Sequence, residues 1–131
     1  MPHVRLEYSD DLIPVPDFPA VFARVHAVLN TTADAATANA KSRAIAVAGY
    51  VGDGNVENAF VHLSIELMEG RSTDVKAAVS DQCLSIVEDA FSRAGQDRNL
   101  QITVAVSDLE RATYRKIPKG TIPAGGTPDT A

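Results

Sequence analysis

The sequence predicts an α/β fold in which two tandem β-α-β units form one four-stranded mixed sheet with two helices on one face. Strand and helix patterns alternate along the chain in the order β-α-β then β-α-β. At 131 residues, 45% of them hydrophobic, the chain suits one compact domain with a core of its own. Because crossover connections are right-handed, both helices should pack on the same face of the sheet.

The first half, residues 1–58, contains a strand, a helix and a second strand. Residues 3–8 alternate polar side chains with three apolar ones, which is typical of a half-buried strand: Val4, Leu6 and Tyr8. Asp17 can cap a helix whose apolar residues keep helical spacing: Phe18, Val21, Phe22, Val25, Val28 and Leu29. A small, polar loop with room for one helical turn follows. It leads into "SRAIAVAGYV" (42–51), which is apolar on both faces, as strands inside a sheet are.

The second half, residues 59–109, repeats this plan after the turn "GDGN". The strand "AFVHLSIELM" comes first, Ser72 can cap a long helix with Gly95 placed to end it, and "LQITVAVSDL" is the last strand. Residues 110–131 hold turn-forming residues and little apolar periodicity, so we expect a tail that is mobile or lies on a neighbour. We treat residues 1–131 as a single domain.

Composition and charge exclude several classes of function. The net charge is −5 and Lys and Arg form no long run, so a nucleic acid partner is not expected. No apolar stretch approaches the roughly 18 to 20 residues that cross a bilayer, and the start lacks a signal-peptide pattern. We therefore expect no membrane association and a soluble, cytoplasmic protein. The single cysteine, Cys83, allows no internal disulfide, and no Cys or His cluster has zinc-ligand spacing, so no metal is expected.

Helices on one face leave the other face of the sheet to be covered. The second and third strands carry apolar residues on both faces, since Ile45 and Val47 oppose alanines, and Val61, Leu63 and Ile65 oppose two further apolar residues: Phe60 and Met68. Because 131 residues include no further element to cover that face, we expect a closed homo-oligomer.

Pro2 stands directly before the first strand pattern. Once Met1 is removed, which a small second residue permits, proline becomes a secondary amine on a rigid ring and a possible base. The amine must then be neutral, so its pKa has to be lowered by desolvation and by nearby cations. The alternative is that Pro2 is simply a common residue after methionine.

Three cationic residues could bind an anion. Arg71, in "MEGRSTDVK", lies at the junction of the third strand and the second helix, where its planar fork and the helix N-terminus would together attract a carboxylate. Lys41 and Arg43 are two apart on the second strand, so they should project to one face of the sheet as a second cationic site. Each could equally be a surface charge.

Three stretches, "PHVRLEYSDDL", "SRAIAV" and "AFVHLSIELMEGRS", resemble 5-carboxymethyl-2-hydroxymuconate isomerase of the tautomerase superfamily. The resemblance covers roughly residues 2–109. It implies a homotrimer with an amino-terminal proline as catalytic base, arginines that hold substrate carboxylates, and no cofactor. Pro2 and Arg71 match that pattern, whereas Lys41 stands where the family has an arginine and lacks the bidentate fork. Only one site per subunit should work, because the second half has no free amine.

The activity implied by the resemblance is a cofactor-free 1,3-proton shift on an unsaturated 2-hydroxy (dienol) polycarboxylate formed in homoprotocatechuate degradation, most simply 5-carboxymethyl-2-hydroxymuconate. Pro2 would move the proton, Arg71 would hold a carboxylate and favour negative charge at that end, and Lys41 or Arg43 would bind another carboxylate. Alternatives are a general keto-enol tautomerase, a haloacrylate dehalogenase-like enzyme, or a non-catalytic trimeric binding protein in which Met1 is retained.

The other polar and aromatic residues are assigned to packing. We expect His26 and His62 to be packed or hydrogen-bonded, Cys83 to act as a small hydrophobe, and tyrosines 8 and 50 to pack by default, although either could line a pocket.

Overall fold

The structure, a computed structural model, describes residues 2–120. Its elements follow the predicted order: β1 (His3–Ser9), α1 (Phe18–Thr32), β2 (Lys41–Val47), β3 (Asn58–Met68), α2 (Thr73–Ala90) and β4 (Asn99–Leu109). The strands form one sheet in the order β2-β1-β3-β4. β1 is parallel to β2, β3 is parallel to β4, and β1 and β3 are antiparallel. The predicted double β-α-β fold with a mixed sheet is confirmed.

Both helices pack on one face of the sheet, and the core lies between them and the strands. Period-two alternation buries one side of the two central strands completely: Val4, Leu6, Val61, Leu63 and Ile65. The helices supply the opposite wall: Val21, Val25, Leu29, Val79, Cys83 and Val87. α1 and α2 lie side by side, since Arg24 Nη1 donates to Asp89 Oδ2 across 2.8 Å. Each fully buried aliphatic side chain contributes about 1.5–3 kcal/mol to the free energy of folding.

The two predicted helix caps are present. The Asp17 carboxylate accepts from the Ala20 amide (3.3 Å), and Ser72 Oγ accepts from the Val75 amide (3.2 Å). The predicted end of α2 at Gly95 is wrong, because the helix stops at Ala90 and a series of turns follows. Phe91 takes the C-cap position and is fully buried, so the chain turns at that residue before it enters β4.

β2 is an edge strand, not the interior strand that its two-sided apolar pattern indicated. Among residues 2–120 it pairs with β1 alone, because β1 takes the inner position and pairs with β3 on its other side. Ile45 is consequently 38% exposed on the face away from the helices.

The face of the sheet away from the helices, here called the open face, is largely polar. Along β3 the buried residues alternate with half-exposed polar ones: His62, Ser64 and Glu66. The neighbouring strands carry further polar residues in register with these: Arg5, Glu7, Thr103 and Ser107. The prediction of two apolar faces is therefore wrong for the middle of β3, since it rested on Phe60 and Met68 near the ends of the strand.

Part of the predicted tail lies on its own chain. After β4, residues 111–113 form a turn, and the Arg111 amide donates to the Glu69 carboxylate that follows β3. Tyr114 contacts the first residue of β1, His3. Contact of the tail with a neighbouring subunit stays a prediction, and residues 121–131 lie outside the described part of the chain.

No helix within residues 2–120 is long and apolar enough to cross a membrane. In the same range, no group of three or more His, Cys, Asp or Glu side chains could hold a metal ion. Cys83 is buried among the core residues of α2, and burial raises the pKa of its thiol to about 11. At neutral pH the thiol is therefore protonated, as expected of a small hydrophobe.

Replacement of Phe91 should test the core. Phe91 is fully buried and its ring lies 5.9 Å from that of Tyr8 and 6.4 Å from that of Phe18. Phe91→Ala should lower the free energy of unfolding by about 3–5 kcal/mol, because the lost contacts leave a cavity. Urea unfolding at matched protein concentration measures the change. Leu84→Ala is the control, since Leu84 is 41% exposed on α2, the helix that Phe91 caps, and equal losses for both variants would contradict this view of the core.

Candidate active site

The strand directions bring the start of the chain together with several cationic residues. β1 and β2 begin, and β3 and β4 end, at the same end of the sheet, because β1 and β3 are antiparallel. We call this the Pro2 end. α1 also finishes here and α2 begins here, since each helix connects two parallel strands. The N-terminus of α2 adds partial positive charge to this end of the sheet.

Pro2 is buried at this end and is held by the backbone. Its carbonyl accepts a hydrogen bond from the Lys41 amide across 3.0 Å, which ties the start of β1 to the start of β2. The position of the proline ring is therefore set by the same parallel pairing that forms the edge of the sheet.

Arg71 lies at the Pro2 end, between β3 and α2, as predicted. It is half-buried, and its guanidinium binds two backbone carbonyls: Nε donates to Ala33 O (2.7 Å) and Nη1 donates to Met68 O (3.0 Å). Ala33 is the C-cap of α1, where a cation is favourable. Within residues 2–120, no hydrogen bond uses Nη2 of Arg71. The guanidinium is thus fixed by two of its N–H groups and keeps donors for a ligand.

Lys41 and Arg43 project to the open face, as predicted, because they pair with His3 and Arg5 of β1. Lys41 is exposed and its Nζ donates to Asn39 O across 2.8 Å. Partial burial and the positive charge of Lys116 lower the pKa of Lys41. Arg43 is also exposed, and the position of its side chain depends on a residue of β1.

That residue is His3, which the sequence analysis did not single out. Arg43 Nη1 donates to His3 Nδ1 across 3.3 Å, and His3 Nε2 lies 2.9 Å from the Tyr114 hydroxyl. The His3 and Tyr114 rings meet edge to face, with centroids 6.0 Å apart. The position of His3 directly after Pro2 was the available signal. No pattern in the sequence indicated Tyr114, because 111 positions separate it from its partner.

Two of the residues assigned to packing are hydrogen-bonded histidines. His62 Nδ1 is 2.6 Å from Thr103 Oγ1 on the open face. His26 Nε2 bonds to Ser42 Oγ between α1 and β2, and burial lowers the pKa of His26. Both histidines therefore behave as expected.

The two tyrosines assigned to packing differ from each other. Tyr8 packs against the rings of Phe18 and Phe91, as expected. Tyr50 is 80% exposed and lines a cavity of about 210 Å³ at the opposite end of the sheet. For this residue the alternative prediction, that it lines a pocket, is the correct one. Neither tyrosine lies at the Pro2 end.

The Pro2 end has the groups that a proton transfer on an anionic substrate requires. A proline at a freed N-terminus supplies one basic nitrogen, and the surrounding cations can hold carboxylates: Lys41, Arg43, Arg71 and Arg111. Acidic residues at this end include Glu66, which faces His3, Glu69, whose carboxylate accepts from the Arg111 amide, and Asp108, which pairs with Lys76. The arrangement therefore favours a substrate with several negative charges.

Similar proteins have the same architecture. The chain is 26% identical over 110 residues to the 5-carboxymethyl-2-hydroxymuconate Delta-isomerase of Escherichia coli, in a match that covers 83% of this chain and 87% of that protein. The crystal structure of a 5-carboxymethyl-2-hydroxymuconate isomerase from Deinococcus radiodurans R1 superposes with a TM-score of 0.78, at 28% identity and 90% coverage of each chain.

A fused 4-OT protein, solved as a symmetric trimer, shares the fold with a TM-score of 0.68 at 17% identity, covering 92% of this chain and 94% of that one. The family model of 5-carboxymethyl-2-hydroxymuconate isomerase matches residues 2–119. That match begins at Pro2 and includes both β-α-β units as well as the segment that carries Tyr114. The chain belongs to the 5-carboxymethyl-2-hydroxymuconate isomerase family.

Proposed function

We propose that the protein isomerises 5-carboxymethyl-2-hydroxymuconate without a cofactor and uses the Pro2 amine as its general base. The observation that carries this proposal is a buried Pro2 at the end of the sheet that also holds Lys41, Arg43 and Arg71. Burial and nearby positive charge both favour a neutral amine over an ammonium ion. A neutral secondary amine can accept a proton near neutral pH.

The reaction moves one proton and leaves the atom count unchanged. The Pro2 nitrogen takes the proton from the 2-hydroxyl of the dienol, and the oxygen becomes a ketone as the double bonds shift along the conjugated chain. The same nitrogen then returns the proton to carbon 5. The product is an unsaturated 2-oxo acid, and the amine is neutral again.

Arg71 is proposed to bind a carboxylate of the substrate. Two of its N–H groups already hold Ala33 and Met68, so the guanidinium has little freedom to lose when the substrate arrives. Positive charge at this position stabilises the negative charge that develops as the proton leaves, and the effect is larger where water is excluded. Lys41 and Arg43 are proposed to bind the remaining carboxylates of the triacid.

The assembly is proposed to be a homotrimer. The same fold forms a symmetric trimer in the fused 4-OT protein, and within residues 2–120 no helix or strand covers the open face of this sheet, where Tyr114 contacts only its edge at His3. In a trimer, Lys41 or Arg43 could belong to the site of a neighbouring subunit. As part of the same proposal, we assign the protein to aromatic compound degradation, to the homoprotocatechuate pathway and to the cytoplasm.

Replacement of Pro2 tests the proposed base. Pro2→Ala should lower kcat by about 10²- to 10⁴-fold, the usual contribution of a general base, in an ultraviolet assay of dienol loss near neutral pH. Pro19→Ala, in the first turn of α1, is the matched control and should retain native activity. Intact mass must show that Met1 is absent from the active protein. An active protein that retains Met1 would exclude Pro2 as the base.

Replacement of Arg71 tests carboxylate binding. Arg71→Ala should raise KM at least about tenfold, because about 1.5–3 kcal/mol is typical of a hydrogen bond to a charged group. It should also destabilise the fold, since two backbone carbonyls lose their donors. Arg98→Ala is the control, because Arg98 binds the backbone carbonyls of residues 56–58 at the opposite end of the sheet. A similar rise in KM for Arg71→Ala and Arg98→Ala would mean that Arg71 stabilises the fold and does not bind the substrate.

Replacement of Lys41 by arginine tests whether substrate binding can be strengthened. Lys41→Arg should lower KM about two- to fivefold, since a planar fork can hold a carboxylate through two hydrogen bonds where an ammonium acts as a point charge. Lys41→Ala should raise KM. The matched control is Lys76→Arg, because Lys76 pairs with Asp108 on the helix side of the sheet. Equal KM values for Lys41→Arg, Lys41→Ala and the native protein would show that Lys41 does not bind the substrate.

A further inference from the structure

We propose that His3 is a positioning residue which, anchored by Tyr114, fixes the Arg43 guanidinium for a substrate carboxylate. This inference rests on the proposed function, because it needs Arg43 to bind substrate. Its structural basis is a hydrogen-bonded chain that joins three separate parts of the molecule: Tyr114 after β4, His3 at the start of β1, and Arg43 in β2.

The chemistry of arginine determines which nitrogen of His3 carries the proton. A guanidinium has N–H donors and no acceptor, so the Nδ1 atom that faces Arg43 must be the unprotonated nitrogen. The proton of a neutral His3 is then on Nε2, and it is donated to the Tyr114 oxygen, 2.9 Å away. A single tautomer therefore satisfies both partners.

The tail segment brings Tyr114 to this position. The chain turns back after β4, where the Arg111 amide donates to the Glu69 carboxylate and the Tyr114 amide donates to Glu110 O. Tyr114 is half-buried as a result, and its hydroxyl meets His3 on the open face. Hydrogen bonds of its own segment therefore hold Tyr114 in place. Because 111 positions separate Tyr114 from His3, their contact forms only in the complete fold.

The proposed role of this chain of hydrogen bonds is to restrict Arg43. An exposed arginine samples many rotamers and loses that freedom when it binds a ligand. A guanidinium that already donates one N–H to His3 loses less, and its other N–H groups remain to bind a carboxylate. A positioning residue of this kind should lower KM and leave kcat almost unchanged.

Protonation of His3 would break the arrangement. An imidazolium carries a proton on both nitrogens, so Nδ1–H would face the N–H of Arg43 with no acceptor between them. Charged and titratable groups from every neighbouring element face His3: Arg5 on β1 with the amino terminus, Lys41 and Arg43 on β2, Glu66 on β3, and Tyr114 after β4.

The balance of these groups favours neutral His3. Burial lowers the pKa of His3 from its ordinary value of 6.5, the charges of Arg43 and Lys41 lower it further, and Glu66 opposes them. His3 is therefore mostly neutral at pH 7, and the midpoint of its protonation lies below pH 6.5. Arg43 should lose its fixed orientation in that acidic range.

The first experiment measures KM for 5-carboxymethyl-2-hydroxymuconate from about pH 5 to about pH 8 in the native protein, His3→Asn and His3→Leu. The His3→Asn side chain keeps an oxygen acceptor close to the place of Nδ1 and cannot titrate, whereas His3→Leu removes the acceptor. The native KM should rise as the pH falls below 6.5, and the KM of His3→Asn should stay flat.

The expected size of the effect follows from the loss of one ordinary net hydrogen bond that acts on the substrate only through Arg43. His3→Leu should raise KM about five- to tenfold near neutral pH, with kcat within about twofold of the native value. Tyr114→Phe should raise KM by about half the factor expected for His3→Leu. In this variant His3 keeps its bond to Arg43 and loses the bond to the Tyr114 hydroxyl. Tyr50→Phe, an exposed tyrosine at the opposite end, is the matched control. If the KM of His3→Leu equalled that of the native protein across the whole pH range, the proposal would be overturned.

A second measurement separates this inference from the proposed function. Nitrogen-15 NMR of the imidazole reports which nitrogen of His3 carries the proton, and it requires no turnover. The Nε2–H tautomer above pH 6.5 supports the arrangement, and a proton on Nδ1 overturns it. A native protein that does not convert the dienol would count against the proposed function alone, while the tautomer still decides the arrangement of His3 and Arg43.

Discussion

The whole Pro2 end depends on the pairing of β1 with two neighbours that run in different directions. β1 is parallel to β2 and antiparallel to β3, and β4 is parallel to β3. Two strand starts and two strand ends therefore meet at one end of the sheet, together with the end of α1 and the start of α2. A slip of one residue in the β1–β2 register would move Lys41 and Arg43 to the helix side and remove both from the open face.

Several cations at this end have bonds within their own chain. Arg71 holds the end of α1 and the end of β3, and Arg43 is oriented by His3. Such bonds leave part of each guanidinium for a ligand and reduce the freedom that binding would remove. Under the proposed function, the same side chains would serve both stability and substrate recognition, so activity data on these residues are informative only beside a measurement of folding.

Local patterns predicted most of the fold and part of the site. Alternation in β1 and the capping residues Asp17 and Ser72 act within a few positions of the chain, and the structure confirms them. The place of β2 at the edge and the polarity of the open face were not predicted, because they depend on which strand takes the central position. Pro2 and Arg71 entered the candidate site through their motifs, whereas Tyr114 reaches His3 only through the complete topology.

The burial of Cys83 has a practical consequence for work on this protein. It is the only cysteine in the sequence, and its thiol is buried with a pKa raised to about 11. Thiol reagents act on the thiolate, so the native chain should be nearly inert to maleimides while it is folded. A cysteine introduced at the exposed position of Tyr50 would then be the single reactive thiol, and a fluorophore or spin label could be attached there without removal of the native cysteine.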